Sequence, residues 1–138
     1  MRLWLAGLAI GAMALTGCTS PPPKPHMNYD PATPEFYVQD VEPIFRSNCF
    51  RCHGGMNHKG GLSMQSKAGM ARGGKHGAAI VPGDPAASLL VKLIRHQGPK
   101  DNPMPMPDKR KKLSDADIAI VERWIQAGAV MPADTPKP

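Results

Sequence analysis

Three stretches of the chain place apolar residues at helical spacing, and each predicts a helix. The first covers residues 40–49, with Asp40 as its N-cap, and the second covers residues 85–96. The third begins after the N-cap Ser114 and ends at Gly128, with aspartates in its first turn. Each helix presents one apolar face, so the pattern predicts three helices packed on a shared core.

Irregular segments are predicted between these helices. Residues 54–84 are rich in glycine and turn-forming residues, which predicts a long wrapping segment shaped by a ligand. Residues 99–107 form a proline-dense loop before the last helix.

The first residues are typical of a secretory signal. Arg2 is followed by an uncharged apolar run from Leu3 to Leu15, which is shorter than the roughly 20 residues that span a bilayer. The next residues resemble the bacterial lipobox, which predicts a lipoprotein signal peptide over residues 1–17 and an acylated Cys18. The alternative is an ordinary signal peptide with an incidental cysteine.

The composition limits how large a core the exported part can build. The 138-residue chain has 16 Pro and 14 Gly against 3 Phe, 2 Trp and 2 Tyr. We predict a lipid-anchored, Pro-rich tether over residues 18–34, one domain over residues 35–132, and a flexible tail over residues 133–138. A large apolar cofactor would supply the missing core; a Pro-rich binding module without a cofactor is the alternative.

Cys49-Phe50-Arg51-Cys52-His53 is the motif that carries chemistry. Cysteines three apart lie on one helical turn, within reach of the two vinyl groups of a single haem, and the following histidine can bind the iron. If Cys18 carries lipid, only Cys49 and Cys52 remain, and both lie in this motif. Two alternatives are a redox dithiol, which normally follows a strand, and a zinc site completed by another histidine.

A second motif places two methionines, Met104 and Met106, between three prolines. The prolines restrict the backbone, so a thioether can be held at iron with little loss of entropy. A methionine opposite a histidine is a common ligand pair of c-type cytochromes. The loop is therefore a candidate for the second axial ligand.

The chain as a whole resembles the c-type cytochromes, and among them the Planctomycete-type cytochrome c domain, over roughly residues 36 to 131. The segments that carry the resemblance are 41–45, 49–54, 60–64, 79–85, 88–90, 106–107, 113–114 and 124–129.

This resemblance implies an all-α, small cytochrome c fold, whose N- and C-terminal helices pack around one covalently attached haem c. It implies thioether bonds to Cys49 and Cys52 and a proximal iron ligand in His53. It also implies a distal ligand in Met106, whose distance to the last helix resembles the family spacing, with Met104 as the alternative.

The resulting functional hypothesis is a monohaem electron carrier rather than an enzyme, either free or as a subunit of an oxidoreductase complex. The alternative is a haem protein with an open or labile distal site that binds or turns over a small ligand. The other histidines of the domain are expected to be exposed polar residues: His58, His76 and His96.

The net charge and the N-terminal sequence predict the partners and the location of the protein. The net charge is +6, with a basic run over residues 109–112 that favours acidic redox partners if it is more than a solvated loop. Nucleic acid is an improbable partner for an exported protein. Thr19, rather than aspartate, follows Cys18, which favours an outer-membrane anchor facing the periplasm.

Overall fold

The computed structural model is helical throughout the part of the chain that it describes. That part comprises residues 29–98, 103–106, 108 and 110–134. Within it there is no strand, only an isolated bridge between Gly74 and Gly77, so the all-α class is confirmed for these residues. The predicted signal peptide, Cys18 and most of the predicted tether lie outside the described residues.

The N-terminal helical segment, residues 34–53, is longer than its periodicity predicts. It consists of α1 (Pro34–Phe36), a π-helical turn (Tyr37–Val41), α2 (Glu42–Asn48) and α3 (Phe50–His53). The prediction that Asp40 caps the helix was wrong, because Asp40 lies inside the π-helical turn.

Pro43 explains both the π-helical turn and the error in the predicted start of the helix. A proline inside a helix has no N–H to donate and its ring clashes with the carbonyl four residues earlier. Just before Pro43 the Glu42 N–H donates to the Tyr37 carbonyl, a five-residue spacing that widens the helix. The helix therefore continues through the proline instead of beginning at it.

The long segment that follows contains little regular structure, as its glycine content predicts. It holds a 3₁₀ turn over Lys59–Gly61 and one short helix, α4 (Lys67–Arg72), which is capped by Ser66. The Ser66 Oγ accepts from the Gly69 N–H at 3.0 Å.

Helix α5 covers Leu89–Ile94, so the predicted start at Pro85 was four residues too early. Pro85 belongs to a turn that is fixed by the fully buried hydroxyl of Ser88. The Val81 N–H donates to Ser88 Oγ at 2.9 Å, and this oxygen donates to the Asp84 carbonyl at 2.8 Å. A serine hydroxyl that satisfies backbone groups in this way stabilises a turn in place of a further helical turn.

Helix α6 (Asp115–Gln126) confirms the prediction for the last helix. The Asp117 N–H donates to Ser114 Oγ at 3.1 Å, as expected of an N-cap. The chain leaves the helix at Gly128, whose φ of +103° favours glycine.

The core lies where α6 crosses the N-terminal helical segment, and the few aromatic residues are concentrated there. The Trp124 ring lies 5.4 Å from the Tyr37 ring and 5.8 Å from the Phe45 ring, centroid to centroid. The Trp124 Nε1–H is satisfied by the Val130 carbonyl at 2.8 Å. The protein thus places its largest side chains in one cluster rather than spreading them over the domain.

Two isoleucines on α6 test this packing. Ile118 is 1% exposed, whereas Ile120 is only partly buried on the same helix. We expect Ile118→Ala to lower the free energy of unfolding by about 2–5 kcal/mol, because it leaves a cavity in the core. Ile120→Ala, the matched control, should lose less than half as much in urea denaturation. Equal losses for the two variants would contradict the observed orientation of α6.

Candidate functional site

The cysteine–histidine motif forms one helical turn at the end of the N-terminal helical segment. The Cys52 and His53 N–H groups both donate to the Cys49 carbonyl, at 3.0 and 2.9 Å. Cys49 and Cys52 are free thiols and both are half-buried. The turn therefore places two sulfur atoms and one imidazole on neighbouring positions of a single rigid element.

The Cys49 thiol is held in its neutral form. Burial raises its pKa to about 12, the nearby Cys52 sulfur adds to this, and Arg110 acts in the opposite direction. A thiolate is therefore disfavoured at neutral pH in the polypeptide as it stands. The influence of Arg110 also shows that the chain beyond Met106 returns close to the motif.

His53 is half-buried, and the two nitrogens of its ring are not both hydrogen-bonded. Burial lowers its pKa, and the nearby backbone carbonyls of Leu62 and Lys59 only partly oppose this. Its Nδ1 is buried without a hydrogen-bond partner among the described residues. A neutral imidazole is the form that binds a metal, so the environment of His53 favours ligation over protonation.

The chain reverses tightly behind the motif. The Met64 N–H donates to the His53 carbonyl at 2.7 Å, which lays the wrapping segment against the motif. A Cβ on Gly54 would lie 2.8 Å from the Phe50 carbonyl oxygen and from Gln65 Cδ. The glycine that follows the motif is therefore required by close approach.

The C-terminal residues hold the wrapping segment from the other side. The two carboxylate oxygens of Asp134 accept from the Lys67 and Ala68 N–H groups, at 2.6 and 3.0 Å. Sequence reasoning missed this contact, because one aspartate in a short proline-containing tail carries no signal of its partner. The predicted domain boundary at residue 132 stays a prediction.

The methionine loop, the proline-rich segment that contains Met104 and Met106, is hydrogen-bonded to α5. The Met104 N–H donates to the Leu93 carbonyl at 3.1 Å, and Met104 is half-buried. Met106 is 42% exposed, and its carbonyl accepts from the Arg110 N–H at 3.0 Å. Pro107 lies outside the described residues.

The remaining histidines differ from one another. His58 and His76 are exposed, as predicted. The same prediction was wrong for His96, which is half-buried and whose Nε2 is enclosed without a hydrogen-bond partner. Among the described residues, no three His, Cys, Asp or Glu side chains are grouped to hold a metal ion.

One comparison with known proteins bears on this site. The model of the family described as Planctomycete cytochrome C matches residues 49–108. The match supports a c-type cytochrome domain in this part of the chain. The match begins at the first cysteine of the motif and includes both candidate methionines, although it covers less than half of the chain. No curated protein and no solved structure matches the sequence.

The residues of this cytochrome domain fit a covalently bound haem. Thioether attachment needs two cysteines on one turn, and Cys49 and Cys52 meet this condition as free thiols. Axial ligation needs a neutral imidazole, and partial burial lowers the pKa of His53, which favours that form. No helix among the described residues is both long and apolar enough to cross a membrane.

Proposed function

We propose that this protein is a monohaem c-type cytochrome that carries single electrons in the cell envelope. The observation that carries the proposal is the helical turn that aligns Cys49, Cys52 and His53 inside the region of the family match. The absence of an internal repeat in the sequence favours one haem. When bound, the haem supplies an iron that alternates between the ferric and ferrous states.

The residues of the motif have separate roles in holding the haem. Cys49 and Cys52 would anchor a haem through thioether bonds, and His53 would bind its iron. The hydrogen bond from the Met64 N–H to the His53 carbonyl fixes the backbone of this ligand. Burial disfavours the thiolate of Cys49, so the neutral thiol is the form that would add to a haem vinyl group.

Met106 is the proposed distal ligand, and Met104 is the alternative. Support comes from the position of the loop, since Arg110, which bonds to the Met106 carbonyl, lies close enough to act on Cys49. Two permanent protein ligands leave no open coordination position, which suits an electron carrier and not an enzyme. The exposure of Met106 is the observation that favours the second function, binding or turnover of a small ligand at a labile distal site.

Two methionine variants test the ligand and the function together. We expect Met106→Ala to abolish the weak far-red band that reports sulfur ligation in the ferric state, because the thioether is removed. The ferrous variant should also bind carbon monoxide. Met104→Ala, the matched control in the same loop, should keep the band and exclude carbon monoxide.

The opposite pattern would assign Met104 as the ligand and overturn the choice of Met106. Carbon monoxide binding by the unaltered protein, without denaturant, would contradict the closed iron site and support the small-ligand function.

The charged surface near the motif supports an acidic redox partner. Arg51 and Lys59 are exposed close to the motif, and residues 110–112 add three exposed basic side chains on the returning loop. Lys109 lies outside the described residues. Complementary charge accelerates encounter between proteins, so this surface would steer acidic partners toward the haem.

A charge-reversal pair tests this surface. Lys111→Glu should slow electron transfer to an acidic redox protein at least about twofold at low salt, because it weakens the steering field. Lys92→Glu changes the net charge equally but lies on α5, and it should have a smaller effect. The rates are measured by stopped-flow mixing over a range of ionic strength, and rates indifferent to salt would reject electrostatic docking.

We also propose that a lipid on Cys18 anchors the protein to the outer membrane, facing the periplasm, with the Pro-rich tether as spacer. The proposal rests on the lipobox, since Cys18 lies outside the described residues. A Cys18→Ser variant should be released from membranes into the soluble fraction and should lose labelling by an alkyne-tagged fatty acid. A Cys18→Ser variant that stayed in the membrane fraction and still carried the fatty-acid label would contradict the anchor.

A further inference from the structure

His96 occupies a left-handed backbone position that residues other than glycine adopt uncommonly. It follows α5 with a φ of +57°, in the left-handed region where glycine or asparagine is usual. The His96 N–H donates to the Leu93 carbonyl and the next N–H, that of Gln97, donates to the Lys92 carbonyl. This is the Schellman arrangement, in which a side chain is a disadvantage and glycine would serve better.

The side chain of His96 carries a second unfavourable feature. Its Nε2 is buried with no hydrogen-bond partner, a state shared among the described residues only with Nδ1 of His53. A buried polar atom without a partner is destabilising, and each such exception in a native protein needs a cause, such as strain, a functional role or a bound water or ion. Neighbouring polar groups are already engaged: Arg95 forms two hydrogen bonds with Glu122, at 2.6 and 2.8 Å.

His96 lies at the root of the methionine loop. The Leu93 carbonyl accepts from the His96 N–H at 3.0 Å and from the Met104 N–H at 3.1 Å. The Leu93 carbonyl oxygen therefore holds both His96 and the loop that carries the candidate distal ligands, Met104 and Met106. Backbone strain that persists beside a functional loop is commonly part of the function.

We propose that His96 Nε2 donates a hydrogen bond to a propionate carboxylate of the haem, which makes His96 a cofactor-binding residue. The inference rests on the proposed haem function. Apart from the iron, which His53 and a methionine would bind, the carboxylates are the polar groups of a haem. A carboxylate is a strong acceptor for an imidazole N–H, and its negative charge suits a chain with a net charge of +6.

Three variants of the mature holoprotein test this role. His96→Leu removes the donor at similar size, His96→Gln keeps an N–H near the position of Nε2, and His76→Leu removes an exposed histidine as the control. Intact mass is measured first for every variant. An unaltered protein without covalent haem would refute the proposed function itself, independently of the role of His96.

The direct readout is nuclear magnetic resonance of the ferrous protein labelled with ¹⁵N-histidine. The His96 ring protons should show Overhauser contacts to the methylene protons of a propionate. The second readout is the midpoint potential as a function of pH. Loss of the donor destabilises the carboxylate anion, so His96→Leu should move the propionate step upward by roughly one to two pH units.

His96→Gln should move that step less than His96→Leu, and His76→Leu should leave it in place. Unchanged curves for His96→Leu would overturn the proposal. Contacts from the His96 ring to protons of residues 99–102 instead of the propionate would overturn it too. A ferric spectrum with His96 bound to iron would also do so, since it would make His96 an axial ligand.

Discussion

The site depends on one constraint, the helical turn in which the Cys49 carbonyl accepts from the N–H groups of both Cys52 and His53. This turn keeps two thiols and an imidazole in register, so that one planar group can be bound at three points. A strand or a flexible loop with the same residues would not hold them on one side. The rest of the domain can be understood as what positions and covers this turn.

Two features position the turn and one encloses it. The π-helical turn before Pro43 lets the N-terminal helix continue to the motif without a break. The packing of Trp124 against Tyr37 and Phe45 then fixes that helix against α6. The wrapping segment closes over the motif through Met64 and is held at α4 by Asp134.

The sequence was sufficient for the features whose cause is local. The cap at Ser114, the end of α6 at Gly128 and the motif turn all follow from residues close together in the chain. It failed where a distant or unusual arrangement overrides local preference. Pro43 indicated a helix start because the compensating π-helical turn has no clear sequence signal. Pro85 also indicated a helix start, but the buried Ser88 hydroxyl stabilises a turn there instead. The enclosed ring nitrogen of His96 could be found only in three dimensions, because a histidine between a helix and a proline-rich loop is normally exposed.

The central claim is that one haem is covalently bound to Cys49 and Cys52, and intact-mass analysis tests it most directly. The protein is exported in a cell that has haem-attachment machinery, and its mass is compared with that of a variant in which both cysteines are alanine. The account predicts an added mass of one haem that survives denaturation in the unaltered protein and is absent from the variant. A denatured, correctly exported protein whose mass contains no haem would contradict it.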